Sequence, residues 1–179
     1  MVTEPVAGTD AATRLVRARA ALDAVNDPEI PVVTIAELGI LRDVQIDGDG
    51  TLVATITPTY SGCPAMDQIA DDASRALQAA DVGAYRVRSV LSPAWTTDWI
   101  TPEGHRKLRE FGVAPPAHVV TVDGERPIRL VRQGEGEHIA CPQCGSQDTV
   151  LISAFGSTAC KALYRCRACR EPFDYFKPY

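Results

Sequence analysis

The chain has 179 residues, 45% of them hydrophobic and 23% charged, with a formal net charge of −5 and a pI near 5.2. That composition is ordinary for a soluble globular protein and leaves room for one domain plus a small appendage. It excludes nucleic-acid attraction by the chain as a whole, and no run approaches the ~18 apolar residues of a membrane span.

In chain order, residues 9–25 (TDAATRLVRARAALDAV) read as a helix with Leu15, Ala18, Leu22 and Val25 on one face. The two prolines of NDPEIP end it. ILRDVQIDGDGTLVATITPT reads as two strands around an Asp-Gly-Asp-Gly turn, with Leu52, Ala54 and Ile56 alternating against Val53, Thr55 and Thr57 as in a half-buried strand. Residues 64–80 are the clearest helix, with a stripe of Met66, Ile69, Ala70, Ala73, Leu77 and Ala80. Pro64 suits its first turn and Asp67 its positive end. YRVRSVL is a third strand. TPEGHRKLREFG is a short helix with Thr101 as cap and Gly112 as stop. This order predicts an α+β fold over residues 1–112, a small sheet covered by helices. Residues 113–137, rich in Pro, Gly and charge, read as a linker with one short strand at 128–131.

The tail, residues 138–179, differs chemically. Residues 1–140 carry 13 Lys and Arg against 20 Asp and Glu, whereas residues 141–179 carry 5 against 3. Cys141-Pro-Gln-Cys144-Gly and Cys166-Arg-Ala-Cys169 are two Cys-x2-Cys pairs. In such a turn both sulfurs face one point, and Gly145 supplies the tight bend after the first pair. Two such turns on a hairpin make a tetrahedral four-sulfur site, which suits zinc; iron or an iron–sulfur cluster is the alternative occupant. VLISAF, KALYR and FDYF suit three strands, which makes residues 138–179 a zinc ribbon. About 40 residues bury too little apolar surface to fold alone, so the metal is expected to be structural. Cys160, left over, reads as a small buried side chain in the hairpin, or else as a reactive thiol or spare ligand near the metal.

Cys63 stands alone, just before the helix of 64–80. A helix end contributes ~0.3–1 kcal/mol to a thiolate, less than the ~1.4 kcal/mol of one pKa unit. The thiol is therefore expected to stay protonated at neutral pH unless a cation or metal assists. No histidine lies near it in sequence. His105, His118 and His138 read as surface or linker residues. Trp95 and Trp99 read either as core anchors of a loop or as an exposed docking patch.

The N-terminus lacks the basic and apolar pattern of a signal peptide, so reduced cysteines and a cytoplasmic location are expected.

Three blocks, DPEIPVVTIAELGILRDV, TYSGCPAM and SPAWTTDWITPEG, resemble the metal–sulfur cluster biosynthesis domain family, which includes SufT-like proteins. With the ribbon ending CPQCGSQDT…FDYFKPY, the likeness narrows to the phenylacetate-degradation branch. The resemblance implies a small α+β domain with a three- or four-stranded sheet. It implies a non-catalytic role in maturing the multicomponent phenylacetyl-CoA epoxidase, a di-iron monooxygenase whose reductase carries an iron–sulfur cluster. The oxygenase and reductase components are then the expected partners. Cys63 matches the family's Cys-Pro cysteine, thought to transfer a metal or cluster; Asp27 and Glu29 match its Asp-Pro-Glu acids, which as bare residues also suit a turn. One thiol is too few for a stable cluster, so a second copy of the chain, a client or Cys160 would have to complete the site. Besides this delivery role, the alternative is a structural adaptor that binds epoxidase components through the ribbon and the Trp loop.

Overall fold

The computed structural model describes residues 7–116 and 139–178, with side chains from residue 11. The expected strand at 128–131, most of the expected linker, His118 and His138 lie outside the described residues. The chain divides into two compact units, Met1–Trp95 and Thr96–Tyr179.

In the first unit, helix α1 (Ala7–Asp23) leads through the DPEIP segment to strands β1 (Leu41–Ile46) and β2 (Leu52–Ile56). Helix α2 (Met66–Ala79) then crosses to strand β3 (Tyr85–Ser89). The β1–β2 turn closes through Asp47 N donating to Thr51 O at 2.9 Å, with Gly50 at φ +81°. β2 pairs antiparallel with β1 and parallel with β3, in the order β1-β2-β3. β2 is therefore central, and all five of its residues are buried rather than every second one. The half-buried expectation is corrected: with a strand hydrogen-bonded along each edge, β2 has its side chains on both faces buried.

α1 packs against β1 and α2, and α2 against β3. Ala18 and Leu22, then Ile69, Ala73 and Leu77, supply the buried helix positions, and Val25 is buried just past the end of α1. α2 starts at Met66, two residues later than the sequence suggested. Its cap is Ala65, which makes no side-chain capping bond, and Pro64 lies outside the helix. Arg14 of α1 ties the turn between α2 and β3: its Nε donates to Val82 O at 2.6 Å and its Nη2 to Ala84 O at 3.2 Å.

The second unit begins with a 3-10 turn (Thr97–Trp99) and helix α3 (Pro102–Glu110), capped by Thr101 Oγ1 accepting from Gly104 N at 3.0 Å. Strands β4 (Val113–Ala114), β5 (Thr149–Ser153), β6 (Lys161–Cys166) and β7 (Pro172–Phe176) form one sheet in the order β4-β7-β6-β5. The ribbon itself supplies the three strands expected of it, β5, β6 and β7, and β4 adds a fourth to their sheet. Val113 and Ala114, expected in the linker, pair in parallel with Asp174 and Tyr175 of β7. α3 packs on β4, which joins it to the ribbon's unit instead of the first domain. The core of this sheet includes Ala162, Tyr164, Phe173 and Tyr175, with Tyr164 stacked on Phe173 at 5.9 Å and edge-on to Tyr175 at 5.6 Å.

Candidate metal centres

The Cys-x2-Cys pairs form two knuckles of like construction. At the first, Gly145 N donates to Cys141 O at 2.9 Å and Cys141 N to Ser146 O at 2.9 Å, with Gly145 at φ +75°. At the second, Cys166 N donates to Glu171 O at 3.0 Å, and Arg170 takes φ +70° in the place that Gly145 holds in the first. Sequence reasoning missed Arg170, because an arginine gives no signal for a left-handed position.

The sulfurs of Cys141, Cys144, Cys166 and Cys169 all lie within 4.8 Å of one another. Cys141 Sγ is 3.7 Å from Cys169 Sγ, and Cys144 Sγ is 3.6 Å from Cys166 Sγ. One ion with bonds of about 2.3 Å to four tetrahedral sulfurs sets them about 3.8 Å apart, so the donor set fits zinc. The Cys169 amide, donating to Cys166 Sγ at 3.5 Å, brings the Cys166 thiol down to about 7. For Cys169 the Glu171 amide favours the thiolate, but burial and the neighbouring sulfurs push it up to about 12. Four thiolates this close repel, and a divalent cation supplies the missing charge. Zinc here would tie the two knuckles together and perform no chemistry on a substrate.

Cys160 is not part of this set. It is buried just before β6, and its sulfur lies 3.0 Å from Thr158 Oγ1. Six residues of extended chain separate it from Cys166, about 20 Å. The spare-ligand reading fails on that distance, and the buried small side chain is what the structure has.

In the first unit, Cys63 is half-buried in the loop that carries the chain from β2 into α2. It sits two residues before the cap, and Met66 N donates to its carbonyl at 3.4 Å. Asp27 is buried in the DPEIP turn, where its Oδ1 accepts from Glu29 N at 2.9 Å and Ile30 N at 2.8 Å. The fold sets the Asp27 and Glu29 carboxylates within electrostatic reach of Cys63. Burial pushes the Cys63 thiol up. The Ala65 amide works against that, Glu29 and Asp27 push it further up, and the Thr59 hydroxyl works against them. The balance is a protonated thiol. Sequence reasoning did not single out Thr59, which is buried and whose hydroxyl favours the thiolate. Its only signal is its place just past a strand, four residues before Cys63.

Trp95 is buried, with Nε1 donating to Leu38 O at 2.9 Å, and Trp99 is half-buried. Trp95 is therefore a core anchor, and the exposed-patch reading is withdrawn for it. His105 lies half-buried on α3 and is not among the four clustered ligands.

Two family matches define the class, an iron–sulfur cluster assembly domain followed by a zinc ribbon. Residues 16–91 match the family "Iron-sulfur cluster assembly protein", and residues 126–177 match "PaaD zinc beta ribbon domain". The chain belongs to the PaaD family. It is 47% identical over 159 residues to an Escherichia coli K12 protein named as a putative subunit of 1,2-phenylacetyl-CoA epoxidase, covering 88% of this chain and 89% of that protein. Over 79 residues it is 40% identical to "Fe-S protein maturation auxiliary factor YitW" of Bacillus subtilis, covering 44% of this chain and 76% of that one. A Bacillus anthracis structure titled as a domain of unknown function, DUF59, superposes with a TM-score of 0.50 at 30% identity, covering 56% of this chain and 95% of that one. Among the described residues no helix is long and apolar enough to cross a membrane.

Proposed function

We propose that this chain is a non-catalytic maturation factor that hands iron or an iron–sulfur cluster to the phenylacetyl-CoA epoxidase, with Cys63 as the transfer ligand. The observation that carries this reading is the set of groups around Cys63. A half-buried thiol in the β2–α2 loop lies within electrostatic reach of two carboxylates from the DPEIP turn. Those groups keep the thiol neutral when no cation is present. A cationic cargo reverses the balance, because the carboxylates then attract it and the thiolate forms. One thiol and two acids hold an iron less firmly than four cysteines do, which is the condition for passing it on. A second copy of the chain or a client cysteine completes the coordination during transfer.

The test is a deletion strain supplied with Cys63→Ser. Epoxidase activity and iron content should stay at the deletion level while the variant keeps its zinc. Full restoration by Cys63→Ser would sink the reading.

The adaptor reading retains one support, the exposed apolar side chains on the ribbon. It has lost Trp95 as a contact. Co-purification with epoxidase components irrespective of Cys63 would favour it.

A further inference from the structure

The sheet of the second unit ends on β5, and among the described residues no strand pairs with its outer side. Leu151, Ile152 and Phe155 are exposed there by 46, 52 and 67%, half of the large apolar side chains left exposed among the described residues. The register passes from Leu151↔Tyr164 to Ser153↔Leu163, so Ile152 is an extra residue in a bulge with no partner across the ladder. A bulge on an edge shortens the stretch that another strand can pair with, which opposes stacking of many copies and leaves the apolar side chains as anchors.

The acidic side chains named around this edge are each paired with a basic one, which leaves a basic excess. Lys161 is paired with Asp174 at 3.6 Å and Arg167 with Asp148 at 3.7 Å. Arg165, opposite Val150 of β5, is exposed and has no carboxylate within 4.0 Å among the described residues. Lys177 Nζ stands 4.6 Å from the Phe155 ring centroid and donates to Ala154 O at 3.3 Å. An apolar strip flanked by an arginine and a lysine complements an apolar strip carrying carboxylates.

We propose that the outer edge of β5, through Leu151, Ile152 and Phe155, docks an extended protein segment that alternates apolar and acidic side chains. The surface lies on the ribbon, so this docking does not depend on the chemistry assigned to Cys63. It gives the zinc ribbon a task beyond its own folding, that of holding a client.

The zinc-loaded full-length chain, labelled with ¹⁵N, is titrated with a (Val-Glu)4 peptide, its (Val-Lys)4 counterpart and a single-stranded DNA oligonucleotide. The acidic peptide should shift amides of residues 149–155, 165 and 177 saturably. Ile152→Glu should weaken binding about tenfold or more, because it removes an apolar anchor and repels the peptide. Arg165→Gln should flatten the salt dependence, and Cys63→Ser should leave binding unchanged. The proposal is overturned by an absence of shifts on β5, by equal binding of the Lys peptide, or by preferential binding of DNA. A dimer in sedimentation that Ile152→Glu abolishes would overturn it too, since the edge would then belong to a second copy.

Discussion

Asp27 and Cys63 stand 36 residues apart in the chain, and the fold brings the Asp27 carboxylate within electrostatic reach of the Cys63 thiol. Burial is the larger cause of the raised thiol, and Glu29 and Asp27 add to it. Alkylation of the Cys63 peptide by iodoacetamide, followed against pH by mass spectrometry, should show a midpoint above that of a free cysteine. The double variant Asp27→Asn, Glu29→Gln should move the midpoint down. It removes two negative charges, while the new asparagine side chain can still accept the two turn amides. The sign for stability follows from a raised thiol. The favourable term is fully present below the unfolded-state value, near ~8.5, and is lost as pH rises through the folded-state value. A midpoint that does not move in the double variant would remove the carboxylates from the site.

The ribbon should carry one zinc per chain and depend on it. Structural zinc contributes about 10–16 kcal/mol to folding, far more than a domain's usual margin. Cys166→Ser, or an excess of a strong chelator, should abolish the ordered aromatic signals of Tyr164, Phe173 and Tyr175. Near-ultraviolet circular dichroism with metal analysis measures both at once. An ordered aromatic cluster in metal-free protein would show that packing suffices.

The two knuckles allow a paired experiment on backbone strain. A Cβ added at Gly145 would meet no neighbour within 4 Å, so Gly145→Ala tests the positive φ alone. It should cost about 1–2 kcal/mol. Arg170→Gly relieves the same strain at the second knuckle but loosens the unfolded chain, so its net effect should be within about 1 kcal/mol of zero. Thermal melts of the zinc-loaded protein distinguish the two.

Gly156 should be intolerant for a different reason. A Cβ there would sit 2.8 Å from Asp174 Oδ1, and Asp174 also accepts from Ser157 Oγ at 3.3 Å and pairs with the buried Lys161. Gly156→Ala should force that carboxylate aside and cost about 1–3 kcal/mol. Gly48→Ala, with open space around its Cβ, serves as the control and should change stability much less.

Trp95→Phe keeps most of the ring in the core and removes the indole donor to Leu38 O. The orphaned carbonyl should cost about 1–3 kcal/mol in a denaturant titration. A neutral result would mean that water reaches Leu38.

The sequence by itself determined what depends on neighbours along the chain. The paired Cys-x2-Cys spacing specified the four-sulfur site, since each knuckle closes within a few residues. Periodicity located α2 to within two residues, and Thr101 with Gly112 marked the ends of α3, because a helix is built from bonds four residues apart. The family blocks, too, were legible as strings. Tertiary structure alone decided whatever depends on distant partners. β2 is the central strand because β3 returns beside it after a helix, a pairing that no local pattern encodes, and the burial of all five of its residues was not legible from their alternation. Val113 and Ala114 became a strand only because β7 offered them an edge. Trp95 faces inward because Leu38 has a carbonyl to receive its indole. Cys63 keeps its proton because burial and the acids of a turn 34–36 residues earlier act on it together. The protonated thiol was expected from the sequence, but electrostatics and burial act through space, so the groups that raise it could be read only once the chain had folded around it.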